Sequence, residues 1–310
     1  MSKDEERTSK LLKVGLPMLA AAGTMGALGF ARERFQDKRL FSPEAQGVLQ
    51  GAKGKDQGQE QPEAPPETPP ETPLFRPQDQ WFETVDRVSL HGWWIPHSQA
   101  RCTVLYCHGK NGSLGQWIEA LAHLHGIGTS ILAFDYRGYG YSEGKPSESG
   151  VFRDVRAAFD HLVGPLGVSA ETVILFGHSL GGAVAIDAAR SVPAAGLVVE
   201  STFTDLRAMA RSRYPKAPVH WLTRNQFKNL SKVRTLRLPK LFLHGTEDEM
   251  VPLSMSEQLY SRAREPKRFF AVEGAGHNDL HRRGGLPYEQ TLANFFADCV
   301  SDSASDSASD

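Results

Sequence analysis

The chain has 310 residues, 40% of them hydrophobic and 23% charged, and its 35 Lys and Arg against 36 Asp and Glu leave a formal net charge of −1. That balance offers no global attraction to nucleic acid, while the apolar content suits a globular chain able to bury a sizeable core. Its 3 cysteines are too few for a disulfide framework. Cys102 and Cys107 fall on one predicted strand, about 16 Å apart, beyond bonding distance.

The first 75 residues differ in kind from the rest. Residues 14–31 form a run of 18 without a charge. As a helix they would span about 27 Å, close to the roughly 30 Å of a bilayer's hydrocarbon core. Gly15, Pro17, Gly23, Gly26 and Gly29 interrupt this run, and the spacings Ala22 to Gly26 and Gly23 to Ala27 suit helix pairing in lipid. The segment is expected to be a single-pass membrane anchor, with a cleaved signal peptide and a soluble helix as the alternatives. Dense positive charge just after it, at Arg32, Arg34, Lys38 and Arg39, places the remainder of the chain on the cytoplasmic side in this reading. Residues 41–74 are rich in Pro, Glu and Gln and repeat Pro-Pro-Glu-Thr, so they read as an extended linker that buries no core.

From residue 75 onward, apolar runs alternate with helical stretches. A hairpin is expected over 81–95, a strand over 102–107, a helix over 114–125, a strand over 130–134 and a helix over 150–162. Strands then follow over 173–176, 196–200, 239–244 and 268–272. This alternation predicts a mostly parallel sheet covered on both faces. Residues 205–237 read as a lid inserted between two strands, carrying nine Lys or Arg against the single acid Asp205. Tyr214, Trp221 and Phe227 interleave with those cations, so the lid is expected to present a basic aromatic surface suited to an anionic membrane face or a substrate with a phosphate head, with a solvated helical face paired with acids elsewhere as the alternative. Residues 301–310, an S-D-S-A repeat, are expected to be a disordered acidic tail.

The chemistry concentrates at the ends of the predicted strands. Gly177-His178-Ser179-Leu180-Gly181 is a G-x-S-x-G element between an apolar strand and a small-residue helix, the context of a nucleophile elbow. A serine alcohol needs a base within hydrogen-bond reach and a carboxylate to orient that base. Asp248, in the carboxylate-rich turn after 239–244, is the expected acid, and Glu200 the substitute. His277, in the glycine-bearing loop after 268–272, is the expected base. The intervals of 69 and 29 residues keep the order Ser, Asp, His. Backbone N–H groups of Leu180 and Lys110 are the expected oxyanion donors, the latter from the His108-Gly109-Lys110 loop. Gly109, His178, Ser201 and Phe203 are the expected substrate-contacting residues. His277, Asp279 and His281 could also be read as metal ligands, but H-N-D-L-H lacks the glutamate of H-E-x-x-H, and no metal is expected.

Taken together, the His108-Gly109 loop, the run from Asp135 to Gly144, the serine elbow, the Asp248 turn and the loop from Gly274 to Leu280 resemble the α/β-hydrolase superfamily over about residues 75–300. The resemblance is closest to membrane-associated α/β-hydrolase-domain proteins that include depalmitoylases and lipid hydrolases. It implies an α/β-hydrolase fold, no cofactor, and cleavage of an acyl ester or thioester through Ser179, His277 and Asp248. Lys110 departs from the asparagine common in relatives, which leaves the amide role intact and adds a positive charge near the pocket mouth. The alternatives are a serine aminopeptidase-like peptidase and a non-catalytic scaffold or receptor on the same fold. A third is a membrane-anchored interaction protein acting through the Pro-rich linker. Oligomeric state is left open.

Overall fold

The structure, a computed structural model, describes residues 75–213 and 227–306. The expected anchor at 14–31, the linker at 41–74, and Tyr214 and Trp221 of the lid lie outside the described residues. Within them, eight strands form one sheet: β1 (Gln78–Glu83), β2 (Ser89–Ile95), β3 (Thr103–Cys107), β4 (Ser130–Phe134), β5 (Val173–His178), β6 (Gly196–Glu200), β7 (Lys240–Gly245) and β8 (Lys267–Val272). Their spatial order is β1-β2-β4-β3-β5-β6-β7-β8. β1 and β2 form the expected antiparallel hairpin, β2 pairs antiparallel with β4, and every later pair is parallel.

Every residue of β3, β4, β5, β6 and β7 is buried, which is why these strands read as continuous apolar runs rather than alternating ones. Side chains two apart share a face. Tyr106, Phe176, Val198 and Leu241 therefore join one cluster with Leu121, Leu124, Leu292 and Phe295 of the helices α1 (Ile118–Gly126) and α7 (Leu280–Asp306). The intervening Leu105, Leu175 and Leu197 point to the opposite face. There α2 (Glu148–Val163) and α3 (Leu180–Ala188) are held together by Arg156, which donates to Asp187 at 3.2 Å. Buried Val151, Val155, Phe159 and Leu162 give α2 its apolar stripe, and the Ser147 hydroxyl accepts the Gly150 N–H at its start. α4 (Leu206–Arg213) and α5 (Asn229–Val233) flank the lid segment, and α6 (Leu253–Arg262) precedes β8.

The loop from Asp135 to Gly144 is held by its arginine. Arg137 donates to Asp154 and Asp86, both at 2.8 Å, and so ties the loop to α2 and to the hairpin turn. Burial pushes the Asp154 carboxyl up to about 6 even with Arg137 beside it.

Two expectations need correction. Phe227 is not part of a lid surface: it is fully buried, with its ring edge-on to Phe152 at 5.6 Å and to Phe203 at 6.1 Å. Its apolar area is worth more buried among Phe152 and Phe203 than exposed beside the arginines. The segment from 301 onward does not all break from the fold, because α7 continues through Asp306. A helix already nucleated and packed gains one backbone bond per added residue, and no Pro or Gly stops it there. Among the described residues no helix is long and apolar enough to cross a membrane.

Candidate active site

Parallel strands deliver their carboxyl ends to one edge of the sheet, and the loops after β3, β5, β6, β7 and β8 meet there. Ser179 sits between β5 and α3 with φ 55° and ψ −113°, a left-handed conformation that side chains rarely adopt. Its N–H donates to the Glu200 carbonyl at 2.8 Å, and the Thr202 hydroxyl donates to its carbonyl at 3.1 Å, so the strained residue is held from both ends by the β6 terminus. The flanking glycines are required by space. A Cβ on Gly177 would run into the backbone of Gly181 and Gly182, and one on Gly181 into the carbonyls of Cys107 and His108.

The structure brings three of the expected residues together. His277 Nε2 stands 3.0 Å from Ser179 Oγ, and His277 Nδ1 stands 2.7 Å from Asp248 Oδ2. The other Asp248 oxygen accepts the N–H groups of Met250 at 2.9 Å and Val251 at 2.8 Å. His244 Nε2 adds a contact at 3.2 Å to Oδ2 while it donates to the Val251 carbonyl at 2.8 Å. Burial works to raise the Asp248 carboxyl, but the bonds from His244, His277 and Val251 outweigh it and hold the group well below the usual carboxylate range. His277 lies below its ordinary value because burial disfavours the imidazolium, with Asp248 opposing that effect. The arrangement is an ionised acid beside a neutral imidazole that faces a hydroxyl.

Glu200 does not reach His277. It is buried and accepts from His178 Nδ1 at 2.9 Å and from the Tyr288 hydroxyl at 2.7 Å. Burial tends to raise its carboxyl, and these two donors bring it below the ordinary value. His178 Nε2 lies 3.2 Å from Asn278 Oδ1, and its ring packs between those of Trp117 and His277, each centroid 5.0 Å away. A Cβ on Gly109 would meet both Trp117 and His178. Ser201 is fully buried with φ 48°, and Phe203 is packed against Phe227. Gly109 and His178 thus pack together against Trp117, while Ser201 and Phe203 are buried residues just after β6.

The loop after β3 is oriented by its own histidine. His108 Nδ1 donates to the Gly109 carbonyl at 2.6 Å. In a trans peptide the next N–H points the opposite way, so this bond also fixes the direction of Lys110 N–H. Leu180 opens α3, and its N–H is among those that a helix start leaves without an intrahelical acceptor.

His277, Asp279 and His281 diverge. Asp279 accepts from Gly276 N–H at 2.7 Å, and His281 faces Glu119 at 3.8 Å. Among the described residues no group of His, Cys, Asp and Glu is arranged to hold a metal ion. Sequence reasoning missed the parts played by His244, Thr202, Trp117, Asn278 and Tyr288. Only two had a local signal: His244 lies four residues before Asp248, and Asn278 follows His277. Tyr288, 88 residues from Glu200, had none.

The family described as serine aminopeptidase, S33, matches residues 98–232. An uncharacterized protein of Mycobacterium tuberculosis is 39% identical over 218 residues, covering 70% of this chain and 78% of the relative. The α/β-hydrolase domain-containing protein WAV2 of Arabidopsis thaliana is 31% identical over 240 residues, again covering 70% of this chain and 78% of the relative. Among solved structures, an esterase of Pyrococcus furiosus superposes with a TM-score of 0.61 at 22% identity, covering 77% of this chain and 98% of its own, a likeness of fold. The chain belongs to the α/β-hydrolase superfamily, and it is a hydrolase of that fold.

Proposed function

We propose that the protein is a serine hydrolase that cleaves a carboxylic ester or thioester of an acyl group carried by a lipid or a protein. The observation that carries this reading is the unbroken series Ser179 Oγ to His277 Nε2 at 3.0 Å and His277 Nδ1 to Asp248 Oδ2 at 2.7 Å, on a strained elbow. In it, Ser179 Oγ attacks the acyl carbonyl as its proton passes to His277 Nε2. The carbonyl oxygen becomes an oxyanion facing the Lys110 and Leu180 N–H groups, each contributing on the order of 3 kcal/mol to lowering the barrier. Asp248 stays ionised and holds the imidazolium. Collapse breaks the bond to the alcohol or thiol, which leaves with the proton from His277. A water deprotonated by His277 then attacks the acyl-enzyme, and the acid departs as Ser179 regains its proton.

A lipid or acylated-protein substrate is supported by the exposed Arg211 and Arg213 on α4, beside the turn that bears Asp248, where Arg213 reaches the Glu249 carbonyl at 3.4 Å. In this reading the basic lid meets an anionic membrane surface. The family description favours a second reading, an aminopeptidase. That activity needs a carboxylate for a free amine, whereas Asp248 and Glu200 are both engaged by neighbouring donors.

The test is labelling by a fluorophosphonate probe. Wild type should label, and Ser179→Ala and His277→Ala should not. A folded wild type that never labels would overturn the reading. Hydrolysis of aminoacyl amides in preference to acyl esters by wild type that has not met the probe would move it to the peptidase.

A further inference from the structure

The bond between Ser179 and His277 has a companion one residue away on each side. His178 precedes Ser179, Asn278 follows His277, and their side chains meet at 3.2 Å beside the 3.0 Å contact of Ser179 with His277. The two contacts are consecutive rungs between the end of β5 and the loop after β8. The first half of that loop is tied to the Asp248 turn: Gly274 N–H donates to Thr246 Oγ1 at 2.9 Å, and Glu247 N–H to the Ala275 carbonyl at 2.9 Å. On the far side of His277, the contact that links the loop to the elbow strand is the one with His178.

His178 is equipped to serve as a fixed post. It is 2% exposed, lies between the Trp117 and His277 rings, and donates from Nδ1 to Glu200. Glu200 is anchored in turn by the Tyr288 hydroxyl at 2.7 Å, while its backbone carbonyl accepts the Ser179 N–H at 2.8 Å. One buried residue therefore fixes both the elbow backbone and the imidazole beside it. Asparagine suits the other end because its amide carries donor and acceptor together. The Oδ1 at 3.2 Å accepts from Nε2–H of an imidazolium, and with the amide turned over its NH2 donates to Nε2 of a neutral ring, so the rung closes in either form.

We propose that the His178–Asn278 contact, backed by Glu200 and Tyr288, is a positioning rung that holds His277 in register with Ser179. This rests on the serine hydrolase reading above. His178 and Asn278 act through His277 and take no proton from substrate. Their contribution is the fraction of time the imidazole spends within reach of the hydroxyl, a quantity to which rates are steeply sensitive.

Amide side chains separate the two bonds of His178. An asparagine amide nitrogen falls near the position of Nδ1, and that of glutamine near Nε2. His178→Asn thus keeps the Glu200 bond and drops the rung, whereas His178→Gln keeps the rung. Asn278 is exposed, so Asn278→Ala removes its end of the rung without opening the core. The experiment uses the full chain and measures the rate constant for fluorophosphonate labelling, kcat and KM on p-nitrophenyl butyrate, and the thermal unfolding midpoint of each variant. Asn278→Ala and His178→Asn should lower kcat and the labelling rate about 10-fold with KM unchanged. The double variant should be no slower than either single one, because both remove the same contact, and His178→Gln should stand closer to wild type than His178→Asn. Wild-type rates in folded Asn278→Ala, multiplicative losses in the double variant, or a rise in KM at constant kcat would each overturn the rung. A wild type that never labels would instead overturn the hydrolase reading itself.

Discussion

The two halves of the site reach their geometry by different physics. The elbow is a steric object: Ser179 keeps φ 55° because Gly177 lets the start of α3 close on β5 and Gly181 lets it close on the end of β3, while Glu200 and Thr202 hold its backbone from β6. The half with Asp248 and His277 is a meeting of loops 29 residues apart, held by hydrogen bonds to a buried carboxylate. Sterics leave the elbow no alternative backbone path. Polar bonds leave the acid–base pair adjustable, and its setting depends on neighbours such as His244 and His178.

That contrast can be broken first at the acid. Asp248→Asn keeps the shape of the turn but lets the imidazole settle in the wrong tautomer, and kcat on p-nitrophenyl butyrate should fall about 10⁴-fold with the fold retained. A loss below about 10-fold would mean that another carboxylate orients His277. Gly181→Ala attacks the other half. A Cβ there meets the Cys107 carbonyl, so unfolding in denaturant should show a loss of at least about 3 kcal/mol, at the upper end of overpacking costs. Unchanged stability would show that the elbow is not sterically locked.

His244→Leu should lower kcat about 10-fold by removing one donor from Asp248, and His244→Gln less, since its amide keeps a donor near the Nε2 position. Equal losses in the two variants would assign the effect to packing. The smallest expected effect is in pH. Neutral His277 is the working base, and burial sets it below its ordinary value near 6.5. Labelling should rise with pH along an acid limb centred below the ordinary imidazole value and level off above it. The unfolded chain takes up this proton first as pH falls, so the stability contributed by neutral His277 is present above about 6.5 and lost as pH drops toward the folded value. An acid limb centred above 6.5 would contradict the burial of the imidazole.

Much of the fold was legible because its central strands are buried on both faces and must be apolar throughout. Residues 130–134 and 196–200 were expected as strands with the bounds that the structure has. The hairpin and the alternation with α1 and α2 were also legible. Ser179, Asp248 and His277 could be named from the order of short motifs, each at the end of an apolar run. Phe227 misled because its neighbours in sequence are cationic, while its neighbours in space are Phe152 and Phe203. Glu200 was weighed as a substitute acid from its place at a strand end, and only the direction of its side chain showed that it serves His178.

By itself, then, the sequence determined what short-range physics can determine: strands from runs of apolar residues, the elbow from glycines that leave room for a strained serine, and the chemistry from which side chains stand at strand ends. Tertiary structure alone decided which carboxylate faces which histidine. Asp248 turns to His277 and Glu200 to His178, because sheet order and the path of α7 bring Tyr288 and Asn278 to the places where those bonds can close. A hydrogen bond depends on distance and direction, here between residues 22 to 100 positions apart, and no local pattern encodes either.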